Sequence, residues 1–370
     1  MYLNFIKRRL VFDAKRRFSS VNSLHELNTN TNTLIVNYRH ELSNTQIYPF
    51  YFYRDILKKQ HGIQFQEVSI DLVNTSASSS MRGGTNVKRI YFQHGFMMSN
   101  EEVVKKLELL SATFPQAKIA FMDWFAPLHI RYSNSIDPYI DSYIKKQTFT
   151  NFANYNKPTI GDTNLSDYYA KRHNIDLPGM TFIAPVGFEK KLRLWPNFYL
   201  SPQMVDLFLG KFPSVQSRPI DLHARIASKG DAWYQAMRSE SIQAVKNLSG
   251  IKIASEGRVK RNKFFAELRN SKIVFSPFGY GEVCWRDYEA YATGSLLIKP
   301  SVDHLKTSDN SFVEGETYVG INWDLSDFEE KLNKFLAEDC REKIARNAFE
   351  YHRGQILGTE ISDLIASTFS

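Results

Sequence analysis

Short apolar runs alternating with amphipathic stretches dominate the first third of the chain. Leu34–Tyr38 (LIVNY) is a run of the buried-strand type, Tyr48–Gln60 carries a helical period closed by His61-Gly62, and Phe65–Ile70 reads as a second strand. The polar stretch Asn74–Asn86 (NTSASSSMRGGTN) reads as a loop. Arg89–Phe92 predicts a further strand, Asn100–Thr113 a helix started by Ser99 and the glutamates behind it, and Lys118–Met122 another strand. This alternation predicts an α/β layer with parallel strands. Ligands of open parallel sheets gather beyond the carboxyl ends of the strands, which puts Gln93, His94 and Asp123 where a site would be.

Residues 129–200 show little clean periodicity and read as inserted loops and short helices facing a cleft. A second unit opens with a strand in Arg218–Ile226, continues through an amphipathic helix around Trp233–Leu248, and adds strands at Ile251–Ala254 and Ile273–Phe275. Phe328–Arg353 is helical by period and charge pairing, and long enough to run back over the first unit. No internal repeat is present. The expected organisation is a basic segment and linker over 1–33, an α/β domain over 34–205, a second over 206–340, and a C-terminal helix over 341–370 crossing back to the first domain.

The most informative stretch is Ser271–Lys299 (SKIVFSPFGYGEVCWRDYEAYATGSLLIK), which reads as strand, glycine-containing loop, helix, strand. Gly279 and Gly281 would let the backbone approach a ligand, and the helix from about Val283 to Thr293 stops at Gly294, a left-handed cap position. The unpaired amides and dipole of a helix start attract phosphate, and Arg286 in the first turn adds a full charge and a bidentate fork. Glu289, three residues on and on the same face, is placed to accept the hydroxyls of a ribose. The alternatives are an ordinary ion pair between Arg286 and Glu289 on a solvated helix, and glycines that only turn the chain. Glu282 either favours the helix start electrostatically or touches a sugar.

These residues resemble the C-terminal, donor-binding half of GT-B glycosyltransferases, most closely the exostosin-like family. That family's pattern of strand, Pro, Gly-x-Gly-x-x-Ser-x-Arg-x-x-Glu-Ala and Gly stands here as Pro277, Gly279, Gly281, Cys284, Arg286, Glu289, Ala290 and Gly294. Cys284 replaces the usual serine, which removes any hydroxyl contact to phosphate there. The resemblance covers roughly residues 215–355 and is concentrated at 271–299. It implies a fold of two Rossmann-like α/β domains facing a cleft, with the N-terminal domain on the acceptor side and the C-terminal domain on the donor side. It also implies that Arg286 contacts the donor's diphosphate and Glu289 its ribose. Arg225 and Lys229, in HARIASKG after the second unit's first strand, match where GT-B enzymes place basic groups on the leaving diphosphate; the alternative is a solvent-facing loop.

Glycosyl transfer of this kind needs a stabilised leaving diphosphate and, for inversion, a base from across the cleft. The resemblance implies that helix dipole and Arg/Lys side chains serve the first need without a metal, and no resident cofactor is expected; the donor is a nucleotide-sugar substrate, with UDP the default. Asp123 is the first candidate for the base and His94 the second, with Asp137, Asp141 and Asp162 behind them. Either of the first two could instead be structural, as a turn cap or a satisfied backbone partner.

Composition and charge narrow the classes further. Two cysteines, Cys284 and Cys340, make neither a disulfide framework nor a zinc pattern, and no run of apolar residues is long enough to cross a bilayer. Net charge is +8, but six basic residues against Asp13 put +5 of it in the first 17 residues, so the body is nearly neutral. This argues against a nucleic-acid protein, whose basic residues should form a face on the folded domain. In MYLNFIKRRLVFDAKRRF, Leu3, Ile6, Leu10 and Ala14 recur at about helical spacing between basic residues. That suits a helix lying on an anionic membrane surface; a transit-type segment and a solvated first helix are the competing readings. The expectation is a cytoplasmic glycosyltransferase in surface polysaccharide or glycan synthesis, with peripheral membrane contact through residues 1–17 and a glycan or lipid-linked acceptor. The alternative is a catalytically silent GT-B-like module that binds a nucleotide or glycan.

Overall fold

The computed structural model describes residues 2–74, 86–214, 217–255, 257–309, 311–338 and 340–370, with side chains from residue 7 onward. Most of the polar loop read over Asn74–Asn86, residues 75–85, lies outside them, as do the side chains of Leu3 and Ile6.

Two parallel sheets organise the chain. The N-terminal part runs through α1 (Tyr2–Ser19), β1 (Ser20–Val21), β2 (Thr33–Asn37), α2 (Glu41–Phe52), α3 (Arg54–His61), β3 (Phe65–Ser69), β4 (Arg89–Gln93), α4 (Asn100–Thr113) and β5 (Lys118–Met122). It continues through α5 (Ser133–Ile136), β6 (Ser142–Lys145), β7 (Gln147–Phe149), β8 (Thr159–Ile160), α6 (Asn164–Arg172), β9 (Gly179–Met180), β10 (Leu192–Leu194) and α7 (Val205–Phe208). The first sheet has the order β1-β3-β2-β4-β5-β6-β10, with every pairing parallel. β2 is buried along its whole length, which is why it reads as an unbroken apolar run.

The C-terminal part comprises β11 (Ile220–His223), α8 (Ala232–Lys246), β12 (Ile253–Ala254), α9 (Arg261–Arg269), β13 (Ser271–Phe275), α10 (Trp285–Ala292), β14 (Leu296–Pro300), β15 (Leu305–Thr307) and β16 (Val319–Ile321). Helices α11 (Phe328–Ala337), α12 (Arg341–Leu357) and α13 (Glu360–Ala366) close the chain. The second sheet, β12-β11-β13-β14-β16, is parallel throughout. Two doubly wound α/β domains facing each other are the GT-B arrangement.

The structure departs from the sequence reading in four places. Residues 1–33 are not an outlying segment and linker: β1 pairs with β3 inside the first sheet, and α1 is docked by buried Phe12 and by Arg16, whose fork meets buried Glu67. The helix read over Tyr48–Gln60 starts at Glu41, because His40 and Ser43 exchange cap hydrogen bonds with each other's segment, and breaks at Tyr53. The irregular stretch 129–200 contributes the buried strand β6. The closing stretch Phe328–Arg353 is two helices, separated by extended Glu338.

The domains touch at several points. β15 pairs antiparallel with β7, so a backbone ladder bridges them. Gly281 lies so close to Ala126 that a β-carbon on it would stand 2.3 Å from the Ala126 carbonyl oxygen. The C-terminal helices lie against the first sheet, where Tyr91 Oη donates to the Ile365 carbonyl at 3.0 Å and Ser142 Oγ to the Thr368 carbonyl at 2.8 Å. One apolar cluster, including Phe50, Trp195, Tyr199, Tyr288 and Phe349, spans both halves.

Candidate functional site at the facing strand ends

In the second sheet β11 lies between β12 and β13, so successive connections leave β11 in opposite directions. The loops after β11 and β13 therefore diverge and leave a crevice at their carboxyl ends, the ordinary ligand position of such a sheet. The first sheet has the same kind of switch between β2 and β4.

The loop 276–284 and the start of α10 are fixed by one buried carboxylate. Asp287 accepts from the Cys284 amide at 2.9 Å and from Ser276 Oγ at 2.6 Å, and pairs with Lys299 Nζ at 2.5 Å; both side chains are 0% exposed. Lys299 also donates to the Glu282 carbonyl at 2.7 Å. Gly294 beyond the helix has φ +68, the left-handed conformation that favours glycine.

Arg286 and Glu289 both lie on α10, and among the described residues neither forms a salt bridge. One Arg286 Nη donates to the Arg225 carbonyl, while Nε and the other Nη are buried and unpartnered. Burial lowers the Arg286 pKa, with Glu289 acting in the opposite direction. Burial raises the Glu289 pKa, with Arg286 opposing it. The ordinary surface ion pair is thus not what the structure contains. Arg238 on α8, not singled out from sequence, joins them: its Nε is buried and unpartnered, and Nη2 lies 3.8 Å from where a Gly279 β-carbon would stand. Its only sequence signal is position, next to buried Met237 on a half-buried helix.

The other donor-side candidates are placed less simply. Arg225 forks onto Glu267, Nε at 2.6 Å and Nη2 at 2.9 Å, so its guanidinium is already occupied by a carboxylate. Lys229 is exposed on the loop after β11, which meets the glycine loop where Tyr280 Oη accepts from the Asp231 amide at 3.2 Å. Gly279 donates its amide to the Gly281 carbonyl at 3.0 Å. Gly281 lines the interdomain cavity and leaves no room for a β-carbon beside Ala126. Glu282 is 0% exposed; Oε1 accepts from Asn164 Nδ2 at 2.7 Å and lies 3.2 Å from His304 Nε2, while Oε2 is buried without a partner. At the end of β11, burial first and Arg286 second push the His223 pKa down to about 4.

Asp123 and His94 lie beneath the cleft surface. Asp123 is 1% exposed. Its Oδ2 accepts from Tyr143 Oη at 2.7 Å and Lys145 Nζ at 2.9 Å, and its Oδ1 accepts from the Phe125 amide at 3.0 Å. Burial opposes this charge, but Lys145 and then His94 outweigh it and hold the carboxyl far below its usual range. A carboxylate so held is a weak proton acceptor, which favours the structural alternative for Asp123 over the base role. His94 is 0% exposed and stacked between Phe121 and Trp124, with ring centroids 5.4 Å away in each case. Asp137 pairs with Lys191 at 2.8 Å, and Asp141 accepts from the Ile119 amide at the opposite, amino end of the strands. Asp162 is the acceptor-side carboxylate that lines the cleft, 3.1 Å from Arg131.

Between the domains is a cavity of about 900 Å³, with Phe96, Trp124, Lys146 and Asp162 on one side and Tyr280 and Trp285 on the other. A second, of about 730 Å³, shares Arg131 and Asp162 with it and is walled by Tyr155, His304 and Trp323. Among the described residues no cluster of three or more His, Cys, Asp or Glu side chains is arranged to hold a metal.

No family model and no curated protein matches the chain. Solved structures similar to it include an alpha-glucosyltransferase in complex with UDP, at TM-score 0.49 and 8% identity over 91% of this chain and 99% of that one. A glycosyltransferase from Rickettsia africae is similar at TM-score 0.44 and 12% identity, over 91% and 96% of the two chains. The N-terminal domain of Candida albicans trehalose-6-phosphate phosphatase is similar at 0.45 and 10%, over 92% and 96%. Likenesses below a TM-score of 0.5 establish nothing about activity.

Proposed function

We propose that the chain is a glycosyltransferase that takes a sugar from a nucleoside-diphosphate donor, UDP-linked by default, and passes it to a glycan or lipid-linked glycan. One observation carries the reading: at the switch point of the second sheet, an α-helix start carries Arg286, with two guanidinium nitrogens buried and unpartnered, and, one turn on, the carboxylate of Glu289. Diphosphate answers Arg286 and the helix dipole; ribose hydroxyls answer Glu289. Arg238 adds a second cation beside the glycine loop, so charge developing on the leaving diphosphate meets fixed positive groups, and the reading asks for no metal and no resident cofactor. Lys229 stays a candidate for the outer phosphate, whereas Arg225 would first have to leave Glu267.

The acceptor enters from the N-terminal side, where Asp162 lines the cavity and takes over the base role first read for Asp123. The outward face of α1 supports peripheral membrane contact. Leu10, Val11 and Phe18 are 62%, 50% and 89% exposed beside Lys7, Arg9, Lys15 and Arg17, a combination suited to an anionic bilayer and a lipid-linked acceptor. Surface polysaccharide or glycan synthesis in the cytoplasm fits this set. The burial of both Asp123 and His94 favours, as a second reading, a catalytically silent module holding the same nucleotide.

Calorimetry of UDP, GDP and CMP and their sugar conjugates against the wild type and Arg286→Ala tests the reading. Binding of one nucleotide, weakened by more than about 1 kcal/mol in the variant, supports it. No binding, or binding indifferent to Arg286, removes its main support. Turnover with a bound nucleotide-sugar then separates enzyme from silent module.

A further inference from the structure

Three lysines of this chain are buried among the described residues: Lys145, Lys146 and Lys299, at 1%, 7% and 0% exposure. Two have a carboxylate, Asp123 at 2.9 Å from Lys145 and Asp287 at 2.5 Å from Lys299. Lys146 has none. Its ammonium donates to Thr45 Oγ1 at 2.5 Å and sits 3.8 Å from the centroid of the Phe198 ring. The Thr45 hydroxyl spends its own proton on the Leu42 carbonyl at 2.6 Å, so it serves Lys146 only as a neutral acceptor. An ammonium has three donors, and this one has a single protein acceptor. Taking a lysine out of water without a counter-charge is costly. Burial alone, with no charged group contributing, brings the Lys146 pKa down to about 7.

The position of this cation is specific. Lys146 lines the interdomain cavity that Gly279, Gly281, Cys284 and Trp285 line from the other side. Phe198, beneath its ammonium, stacks on Trp285 at 4.4 Å and 21°, and Trp285 is the first residue of α10. The cation thus reaches toward the helix start through one aromatic pair.

We propose that Lys146, seated on Thr45 and Phe198, is the N-terminal domain's ligand for a phosphate of the nucleoside-diphosphate donor. This rests on the donor-site reading above. A diphosphate at the start of α10 would then be gripped from both domains, and its charge would supply the counter-ion that the protein withholds. A phosphate carried by the acceptor is the other source of the same chemistry, but the continuity from Phe198 to Trp285 favours the donor.

The test is the affinity of UDP and of uridine for wild type, Lys146→Met, Lys146→Gln and Arg286→Ala, with Tm measured for each. The two neutral replacements remove no ion pair, so folding is expected to survive both. UDP binding is expected to weaken about tenfold or more in each, as loss of a charge-assisted hydrogen bond implies, with uridine unchanged and Tm no lower. UDP binding within twofold of wild type in both, while Arg286→Ala loses it, would overturn the role of Lys146 and leave the donor site standing. Equal loss of UDP and uridine would also overturn it, since that reports a disturbed pocket rather than a phosphate contact. Wild type that binds no UDP, or binding that Arg286→Ala leaves intact, would sink the donor-site reading itself and this proposal with it.

Discussion

Arg286 and Glu289 stand one turn apart on the same face of α10 and do not pair with each other. Each is half-buried, and for each the cost of burial outweighs the attraction of nearby opposite charge, so both charges are unfavourable in the empty fold. Glu289→Gln is expected to separate stability from binding. Because burial raises the Glu289 pKa, the folded state holds this proton more tightly than the unfolded chain does. Its favourable contribution is therefore present at low pH and is lost as pH rises through the raised value. At pH 7 the glutamine variant should melt higher than wild type, an advantage that disappears in acid, while nucleotide affinity falls by about 1 kcal/mol or more. A lower Tm at pH 7 would mean that the carboxylate has a structural partner after all.

The donor helix and its loop were legible because their signals are local. A strand, two glycines, a first-turn arginine and a glycine stop lie within Ser271–Lys299, and the structure places α10 and the left-handed Gly294 there. The acceptor side was less legible because its partners are distant in sequence. Asp123 lies just past a strand end, but its fate depends on Lys145 and Tyr143, 22 and 20 residues away. β6 was hidden for a related reason. SYIKKQ lies in the stretch without clean periodicity and nothing local marks its two lysines as buried, yet Lys145 is buried against Asp123 and Lys146 against Thr45 and Phe198. Arg225 was legible as a basic group on the right loop; its fork onto Glu267, 42 residues on, was not.

The buried Asp123–Lys145 pair gives a second prediction. Asp123→Asn leaves the Lys145 ammonium buried beside a neutral amide, which should destabilise the protein by about 3–5 kcal/mol. The Asp123 pKa is depressed in the folded state, so its contribution is present above the usual carboxylate range and is lost as pH falls through the depressed value. Chemical denaturation from neutral to acid pH should show this slope in wild type and lose it in the variant. A variant of normal stability that lacks turnover would instead restore Asp123 as the base.

Gly281 and Gly279 should respond differently to the same change. A β-carbon on Gly281 would meet the Ala126 carbonyl oxygen at 2.3 Å, backbone that cannot step aside without moving the domains apart. On Gly279 the nearest atom is Cys284 Sγ at 3.3 Å, a side-chain atom a full ångström farther off. Gly281→Ala is expected to cost about 1–3 kcal/mol and to open the cleft measurably in small-angle scattering. Gly279→Ala should leave both nearly unchanged. Equal effects at the two positions would mean that the interdomain contact does not set the geometry of this loop.

The two faces of α1 separate docking from membrane contact. Phe12 is 4% exposed and packs edge-on against Tyr48 and Tyr51, both centroids 5.2 Å away, so Phe12→Glu should unfold this corner of the domain. Leu10 and Phe18 face outward at 62% and 89% exposure, so Leu10→Glu and Phe18→Glu should leave Tm within error. Each basic residue near an anionic bilayer is worth about 1 kcal/mol, and the apolar pair adds burial in the interface. Wild type should therefore co-sediment with vesicles containing phosphatidylglycerol at low salt and release as salt rises. Both outward-face variants should bind markedly less, and neutral vesicles should bind none of the three. Wild type that stays in the supernatant with anionic vesicles would leave α1 as a packed structural helix, and the case for a lipid-linked acceptor would lose its physical support.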